Sequence, residues 1–315
     1  MMKWLIIFLF SITTFGLNAQ ELFPNTEPAS TVPKGVFGIK LLSETYNVSG
    51  AVRNQFSARL MYGLTKNLTV WAQPILSNHH GESFPADLFN HSHSSGISFT
   101  RPIQYGQKYK YTFAGVHLYA KYRILNFDQD DRHLRIALYG EYSPFANQAH
   151  DEAEPHLQGD TGGLGAGAIV TYLKSRFALS FTGGYIQPKK FTDLKSNNRY
   201  EFTYGNALNY SLSIGYLLYP KTYKSYQQPN YNLYFEFIGK SFDDAEILWF
   251  DIPVEVRSPA QLANQYLDLY IGIQRIVNAN NRLELSIGVP VISKSYRHFY
   301  PILNIGWQRY LYGKN

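Results

Sequence analysis

Cysteine is absent from the 315-residue sequence, and long apolar runs and clusters of one charge sign are also missing. Without cysteine there is no disulfide framework, no thiolate metal site and no lipid anchor on an N-terminal cysteine. Beyond the first nineteen residues, no apolar run reaches the roughly 18 residues that a membrane-spanning helix needs. The net charge of +6 is scattered, so no basic arm or patch predicts nucleic-acid binding.

The N-terminal stretch MMKWLIIFLFSITTFGLNAQ has the pattern of a secretory signal peptide. Lys3 supplies the positive charge, an apolar stretch follows it, and Leu17-Asn18-Ala19 provides a small-residue cleavage site. The pattern predicts that residues 1–19 are removed on export. We then expect residues 20–34, which contain three prolines, to form a periplasmic segment and residues 35–315 to form the folded domain.

Tyrosine and alternating polarity are what the sequence has in abundance. Aromatic residues make up 16% of the chain, with 26 Tyr against 21 Phe and 4 Trp, and tyrosine is common in membrane-interface belts. In the stretch RNQFSARLMYG, residues 53–63, one face is apolar, whereas the other carries Arg53, Gln55, Ser57 and Arg59. A period of two over ten or more residues is typical of long β-strands with one apolar and one polar face.

The alternation predicts about twelve strands, many of them longer than the five or six residues usual in globular proteins. They cover residues 35–46, 52–63, 67–77, 112–126, 133–146, 162–173, 176–187, 202–218, 230–242, 264–276, 281–292 and 298–312. Outer-membrane barrels have short periplasmic turns and long external loops. With the N-terminus on the periplasmic side, four of the five inner turns are short and four of the six outer loops are long.

The two faces of these strands favour a membrane barrel over a soluble one. A soluble barrel buries its apolar face inside, whereas a porin-like barrel turns that face toward lipid. Here the polar face carries paired charges and glycine, which suits a lumen. Because lipid tolerates no open sheet edge, the sequence predicts an all-β fold: a closed antiparallel transmembrane β-barrel of about twelve strands, in the outer membrane of a Gram-negative bacterium.

Two short segments near the start carry a family resemblance. They are Thr31-Val32-Pro33-Lys34-Gly35, before the first strand, and Tyr62-Gly63-Leu64-Thr65-Lys66-Asn67-Leu68, between the second and third strands. They resemble the family of outer-membrane barrels named for the meta-pathway of phenol degradation, often described as transporters. The resemblance covers roughly the first fifty residues after the signal peptide. It implies the fold and the location, and the family has no catalytic motif to carry over.

The run GGLGAG at residues 162–167 resembles a phosphate-binding loop only superficially. No helix pattern follows it, and no Lys-Ser/Thr pair completes a P-loop, so we expect no nucleotide site. In a strand, Gly163, Gly165 and Gly167 share one face. Their missing side chains predict a smooth stretch of wall that another backbone or loop approaches.

The polar faces predict a basic arc of the lumen wall opposite an acidic arc. The inward-facing basic residues are Arg53, Arg59, His117, Lys121, Arg123 and Arg135, with Glu141 among them. The inward-facing acidic residues are Glu236, Asp268 and Glu284, beside Lys240 and Arg282. Opposed arcs create a transverse field that a pore uses to orient and select polar solutes. The alternative is a set of salt-bridge networks that fill the lumen, because about twelve strands enclose only a modest space. The proline-rich residues 21–34 are a candidate to occupy the periplasmic mouth of the barrel.

Two predicted outer loops are rich in histidine. One contains NHHGESFPADLFNHSHSSG with His79, His80, His91 and His93, and its neighbour contains His150, Asp151, Glu152, Glu154 and His156. Imidazole with carboxylate is a ligand set suited to Zn²⁺, Cu²⁺ or Ni²⁺. The alternative is that these histidines are solvated or packed at the rim, since no spacing matches a structural zinc signature. Loss of micromolar metal binding on alanine substitution of His79, His80, His91 and His93 would support the metal hypothesis.

The sequence thus predicts a non-enzymatic channel or transporter for small polar solutes, with divalent transition metal ions as the sharper hypothesis. No cofactor is expected to be required, and the expected partners are outer-membrane lipid, the solutes and a periplasmic protein. Two alternatives stay open: a plugged, non-conducting barrel for surface binding, and an outer-membrane enzyme that acts on lipid. Against the enzyme, His117 falls on the polar face and no Ser–His–Asp set aligns at the outer rim.

Overall fold

The structure is a computed structural model, and it describes residues 23–48, 50–78, 92–93, 96–97, 106, 108–145, 154–159, 161–195, 198–222, 228–256, 261–295 and 299–312. The described strands are β1 Phe37–Val48, β2 Ala51–Gly63, β3 Leu68–Ser77, β4 Ser92–His93, β5 Gly96–Ile97, β6 Thr112–Asp128, β7 Arg132–Ser143, β8 Gly163–Lys174, β9 Phe177–Pro188, β10 Phe191–Lys195, β11 Asn198–Thr203, β12 Ala207–Tyr219, β13 Asn230–Phe242, β14 Glu246–Trp249, β15 Ile252–Val254, β16 Asn264–Val277, β17 Asn281–Ile292 and β18 Ile302–Leu311. Within these ranges, no helix is long and apolar enough to cross a membrane.

Twelve of these strands close into one antiparallel barrel, in the order β1-β18-β17-β16-β13-β12-β9-β8-β7-β6-β3-β2. The first and last barrel strands complete the ring, with Phe37 opposite Leu311. The predicted fold class and strand number are therefore confirmed. Most strand bounds lie within two or three residues of the prediction; the largest difference is at β12, which begins at Ala207 rather than at residue 202.

The barrel is apolar outside and charged inside. Outward-facing side chains such as Phe181, Ile273 and Leu283 are more than half exposed, at 53%, 54% and 53%. Inward-facing charged side chains such as Arg53 and Asp268 are buried, each at 1% exposure. An exposed apolar wall of this extent requires lipid as its solvent, because it would aggregate in water.

Tyrosine side chains from neighbouring strands fill the space above inward-facing glycines. A Cβ atom added at Gly184 would lie 1.9 Å from the Tyr139 hydroxyl, and one at Gly167 would lie 2.6 Å from the same ring. Tyr270 occupies the space beside Gly288 in the same way, at 2.4 Å. The glycine run is thus wall, as predicted: the backbone carbonyl oxygens of Gln187 and Gly183 lie 2.3 Å from Cβ atoms added at Gly163 and Gly167, and the Glu141 side chain lies 2.6 Å from one added at Gly165.

Alanine at Gly184 is expected to destabilise the barrel by about 1–3 kcal/mol, because the added methyl displaces Tyr139 from its packed position. The neighbouring Gly183 is the matched control, since its added Cβ meets Phe181 at an ordinary 3.6 Å. The measurement is the urea midpoint of each variant folded into lipid vesicles. Equal midpoints for Gly184→Ala and Gly183→Ala would show that the Tyr139 packing contributes nothing.

Two outer loops contain a small sheet that periodicity did not predict. Strands β10 and β11 from the β9–β12 connection pair with β14 and β15 from the β13–β16 connection, in the order β10-β11-β14-β15. Its core consists of Phe202, Tyr204, Ala245 and Ile247. This sheet explains why β12 begins late, because residues 200–203 pair with β14 instead of with the barrel.

Candidate functional site: the plugged lumen

The N-terminal residues 23–36, called the plug below, lie inside the barrel. The sequence predicted a periplasmic segment over residues 20–34, with residues 21–34 as a candidate to occupy the periplasmic mouth of the barrel. Both ends of the plug reach the periplasmic side, where Phe23 packs on Ala178 and Tyr234 and the Gly35 amide donates to the Gly63 carbonyl over 2.8 Å. Between its ends the plug rises to the middle of the strands and returns.

Apolar packing holds one limb of the plug against the wall. Ala29, Val32 and Val36 belong to a buried cluster inside the barrel. Its other members are Met61, Trp71, Tyr119, Ala137, Tyr139, Ile169 and Tyr310. Within it, Trp71 stacks on Tyr119 at 3.8 Å between ring centroids, and Tyr119 stacks on Tyr139 at 5.1 Å. Burial of these surfaces gives the plug a hydrophobic contribution to its binding.

Glu236 of β13 anchors the top of the plug through its carboxylate. The backbone amide of Asn25 donates to Glu236 Oε2 over 3.1 Å, and that of Thr26 donates to Oε1 over 2.9 Å. The side chains add two more bonds, from Asn25 Nδ2 at 2.7 Å and from Thr26 Oγ1 at 2.8 Å. A buried carboxylate is stable only with such donors, and here the plug supplies them.

Glu27 anchors the plug to the opposite wall, and here the plug supplies the carboxylate and the wall supplies the donors. Its carboxylate accepts hydrogen bonds from Arg59 of β2 and, over 3.3 Å, from Lys121 of β6. Burial raises the pKa of Glu27, but the charges of Arg59, Lys121 and Lys40, with the Lys121 hydrogen bond, outweigh it and lower the pKa from 4.5 to about 2. The plug therefore presents an acid to the basic arc and amide donors to the acidic arc.

Further wall residues bind the plug backbone and its serine. These contacts, each between 2.6 and 2.9 Å, are Lys40 Nζ to the Pro24 carbonyl, Lys121 Nζ to the Pro28 carbonyl, Arg135 Nη1 to Ser30 Oγ, the Ala29 amide to Thr171 Oγ1 and the Val32 amide to Thr69 Oγ1. A proline-rich segment leaves many backbone groups without a partner of its own. The wall satisfies several of them.

Acid is expected to release the Glu27 contact only well below neutral pH. Because the pKa of Glu27 is lowered when it is bound, its contribution to closure is complete above the ordinary value of 4.5 and is lost as the pH falls through about 2. The measurement is the open probability of Glu27→Gln divided by that of wild type, each recorded in lipid bilayers. This ratio should be constant from pH 7 to pH 5 and fall toward one between pH 4.5 and 2. A ratio that changes between pH 7 and pH 5 would contradict this.

Residues 154–159 of the β7–β8 loop cover the lumen from the outer side. Leu157 is buried among Ile186, Ala207, Phe242 and Tyr266 at the outer ends of their strands. Lys240 Nζ donates to the Pro155 carbonyl over 2.8 Å, and Ser295 Oγ donates to Glu154 Oε1 over 2.7 Å. The lumen is thus narrowed from both sides.

A polar chamber of about 290 Å³ remains between the plug and this loop segment. This volume is near the lower end of the range for small-molecule sites, about 300–1,000 Å³. Asn25, Thr26 and Glu27 line its plug side, and His156 and Gln158 line its outer side. The wall adds Lys40, Glu44, Gln55, Arg59, Tyr119, Tyr139, Glu141, Asn209, Lys240, Asp268, Tyr270 and Asn304.

The structure places the predicted lumen residues on the inner wall. The buried ones are Arg53, Arg59, His117, Lys121, Arg135, Glu236, Asp268 and Glu284. Arg123 differs, because its guanidinium binds the Lys66 carbonyl and Asn67 Oδ1 in the β2–β3 turn at the periplasmic rim. Between the arcs, β8, β9 and β12 present the uncharged Thr171, Ser180, Ser211 and Ser213. The role of these residues in selecting a solute stays a prediction.

Most of the predicted metal ligands lie outside the described residues. These are His79, His80, His91, His150, Asp151 and Glu152, and of His93 the structure describes only the backbone, in β4. Glu154 binds Ser295, and His156 Nδ1 accepts the Gln158 amide over 3.2 Å. The described part of the chain holds no group of three or more His, Asp or Glu arranged for a metal ion. The metal hypothesis stays a prediction.

Sequence patterns did not predict the role of three residues inside the barrel. Glu27 is the plug's acid, Lys40 binds both the Pro24 carbonyl and Glu284, and Trp71 lies beneath Arg59 with 4.7 Å from guanidinium carbon to ring centroid. The sequence carried a signal for two of them. Glu27 lies in the polar stretch Asn25-Thr26-Glu27-Pro28, and Lys40 lies on the inward face of β1.

Comparison with known proteins bears on the fold. No family model matches the chain, and no curated protein sequence matches it. An outer membrane channel from Pseudomonas putida F1 is similar in structure, with 15% identity, a TM-score of 0.55, and coverage of 92% of this chain and 100% of that chain. Outer membrane phospholipase A from Escherichia coli (9% identity, TM-score 0.35, 91% and 93% coverage) and OmpF of Salmonella typhi in a daunomycin complex (7%, 0.34, 88% and 97%) are more distant.

The Pseudomonas likeness, together with the closed ring and its apolar exterior, gives this protein the fold of a Gram-negative outer-membrane β-barrel. The predicted location is confirmed with it. Membership in the phenol-pathway family stays a prediction, because a structural likeness at 15% identity shows the fold alone.

Proposed function

We propose that this protein is an outer-membrane channel for small polar solutes and that its own N-terminal plug closes it. The observation that carries the proposal is the polar chamber of about 290 Å³ between the plug and residues 154–159. A barrel that serves only as a scaffold has no need for an internal polar space between two closures. Solutes pass when the plug leaves its place, and in the described state the plug and residues 154–159 narrow the path.

The way in which the plug is held supports its displacement. Hydrogen bonds and ion pairs to the wall hold its apex, where Asn25, Thr26 and Glu27 contact Glu236, Arg59 and Lys121. Water can replace each of these contacts once the plug moves, so the wall does not lose its hydrogen bonds in the open state. The apolar packing of Val32 and Val36 in the cluster that contains Met61 and Trp71 keeps the returning limb against the wall near β2 and β3.

Single-channel recording in planar lipid bilayers tests the proposal. Wild type is expected to give brief, infrequent openings, and a variant that lacks residues 24–32 is expected to give sustained ones. Liposome flux of an uncharged polar solute should rise in parallel. Absence of discrete openings from both proteins, when each is folded in the bilayer, would refute the channel.

The plugged, surface-binding barrel is a second candidate because of the small sheet β10-β11-β14-β15, called the outer sheet below. Trp249, Phe250 and Ile252 at its β14–β15 hairpin are 40%, 47% and 60% exposed, and exposed apolar side chains at a hairpin tip suit contact with another surface. This candidate predicts no conductance from wild type or from the plug deletion. The bilayer recording therefore separates the two candidates.

A lipid-acting enzyme receives no support from the described histidines. His117 lies in the lumen and pairs with Glu141 over 2.8 Å, and His133 pairs with Asp128 at the periplasmic end over 2.9 Å. His156 lies in the segment above the chamber. In the part of the barrel that the structure describes, no histidine lies on the lipid-facing wall, where such an enzyme would hold its catalytic pair.

A further inference from the structure

We infer that the cations that hold Glu27 form the solute-binding site of the channel, and that the solute is a small carboxylate anion that takes the place of the Glu27 side chain. The inference rests on the proposed function and names its substrate class. It follows from the balance of buried charge, the construction of the site and its position at the chamber.

The buried charge of the barrel wall is unequal. Among the described barrel strands, seven cationic side chains are buried: Lys40, Arg53, Arg59, Lys121, Arg135, Lys240 and Arg282. Three carboxylates are buried with them: Glu236, Asp268 and Glu284. Glu44 and Glu141 of the same strands are partly buried and line the chamber, and the side chain of Asp128 is 28% exposed. Five of the seven cations lie on β1, β2, β6 and β7, whereas the three buried carboxylates lie on β13, β16 and β17, so the first of these sides of the lumen attracts anions. The plug places the Glu27 carboxylate on that side.

The site around Glu27 is built to hold a carboxylate without the plug. Arg59 Nε donates to Gln73 Oε1 over 2.7 Å, and Gln73 is held in turn by Ser57 Oγ at 3.0 Å. The guanidinium also lies over the Trp71 ring at 4.7 Å. Because these three contacts come from the wall, Arg59 keeps its place when Glu27 departs. A preorganised guanidinium beside an ammonium group is a strong recognition pair for carboxylate.

Access to this site is from the chamber. Glu27, Arg59 and Lys40 all line it, and the Glu27 side chain keeps 26% of its surface exposed there. Two of the carboxylates that line the chamber have partners of their own: Glu141 binds His117, and Asp268 accepts the Tyr300 hydroxyl over 2.6 Å. An anion that enters from the outer side therefore meets the Glu27 carboxylate at the position that it would itself occupy.

Competition follows from this overlap. Two carboxylates cannot share Arg59 and Lys121, so a solute that binds there binds only when Glu27 has left. A ligand that binds one state alone shifts the equilibrium toward that state. The transported anion would thus favour the opening of its own path.

Propionate is the probe, because it reproduces the Glu27 side chain, and propionamide is its uncharged control. Saturating propionate is expected to raise the open probability of wild-type channels about tenfold at constant ionic strength, whereas propionamide should leave it unchanged. Reversal potentials in a potassium propionate gradient should show preference for the anion. Both measurements use the wild-type protein, so neither depends on the folding of a variant.

A pair of variants locates the site. The double variant Arg59→Gln/Lys121→Gln should reduce the anion preference several-fold. The control Lys190→Gln, which removes a half-exposed cation of the outer sheet, should not reduce it. Openings with cation preference, or equal responses to propionate and propionamide, would overturn the inference and leave the channel standing. Absence of openings from wild type and from the plug deletion would overturn both.

Discussion

Alanine at both Glu27 and Glu236 is expected to keep the channel open for most of the recording time, whereas wild-type openings are rare. The two carboxylates hold opposite sides of the plug apex. Removal of Glu236 leaves the Asn25 and Thr26 amides without an acceptor, and removal of Glu27 leaves Arg59 and Lys121 without their carboxylate. Both losses weaken the closed state, while in the open state water solvates the same groups.

The size of the effect follows from the cost of a broken buried charge contact. Removing one partner costs about 3–5 kcal/mol in a dry interior, and a partly wet lumen lowers this to roughly 3 kcal/mol for the two substitutions together. The open-to-closed ratio should then rise about a hundredfold in single-channel recordings. Glu201→Ala is the control, because this carboxylate also pairs with cations, Lys190 and Arg199, but belongs to the outer sheet. Equal gains from the control and from the double variant would contradict the account.

The barrel itself was predictable from the sequence because its faces differ so clearly. Strands such as β2 and β6 alternate over their whole length, and the period of two fixes which side chains share a wall. Charged residues such as Arg53 and Lys121 were assigned to the lumen on that basis alone, and the structure buries both there. Assigning these residues to the lumen did not require knowing which strands pair, because the alternation of polar and apolar residues can be read within each strand.

The contacts of the plug inside the barrel were not predictable because its partners are distant in sequence. Asn25 and Glu236 are separated by 211 positions, and nothing local indicates that one binds the other. Residues 23–36 also lack alternation, so the pattern indicated a periplasmic segment. Charge was the available signal, because the basic arc of the wall predicts an acidic partner, and Glu27 is one of the acids of the proline-rich segment.

The outer sheet escaped prediction for a different reason. Strands β10, β11, β14 and β15 have three to six residues each, too few for alternation to show. Their pairing joins two loops that are far apart in the chain. The prediction had extended the neighbouring barrel strand through residues 202–206 instead, although Tyr204 and Phe202 pack in the core of the small sheet.

A disulfide between plug and wall is expected to abolish conductance until it is reduced. Thr26 Oγ1 and Ser213 Oγ lie 2.7 Å apart, so cysteine at both positions brings two sulfur atoms into bonding range. The native chain has no cysteine, so no other disulfide competes. A covalent link holds the plug apex in the lumen whatever solute is present. Each single variant, Thr26→Cys and Ser213→Cys, is the control for the loss of the native hydroxyl.

Single-channel conductance of the Thr26→Cys/Ser213→Cys protein, recorded before and after reduction in the same bilayer, tests the plug mechanism most directly. The account predicts silence from the oxidised protein and, after reduction, discrete openings like those of the two single variants. Openings of equal size and frequency in both states, with the disulfide shown intact before reduction, would mean that solutes pass without displacement of the plug. That result would contradict the account.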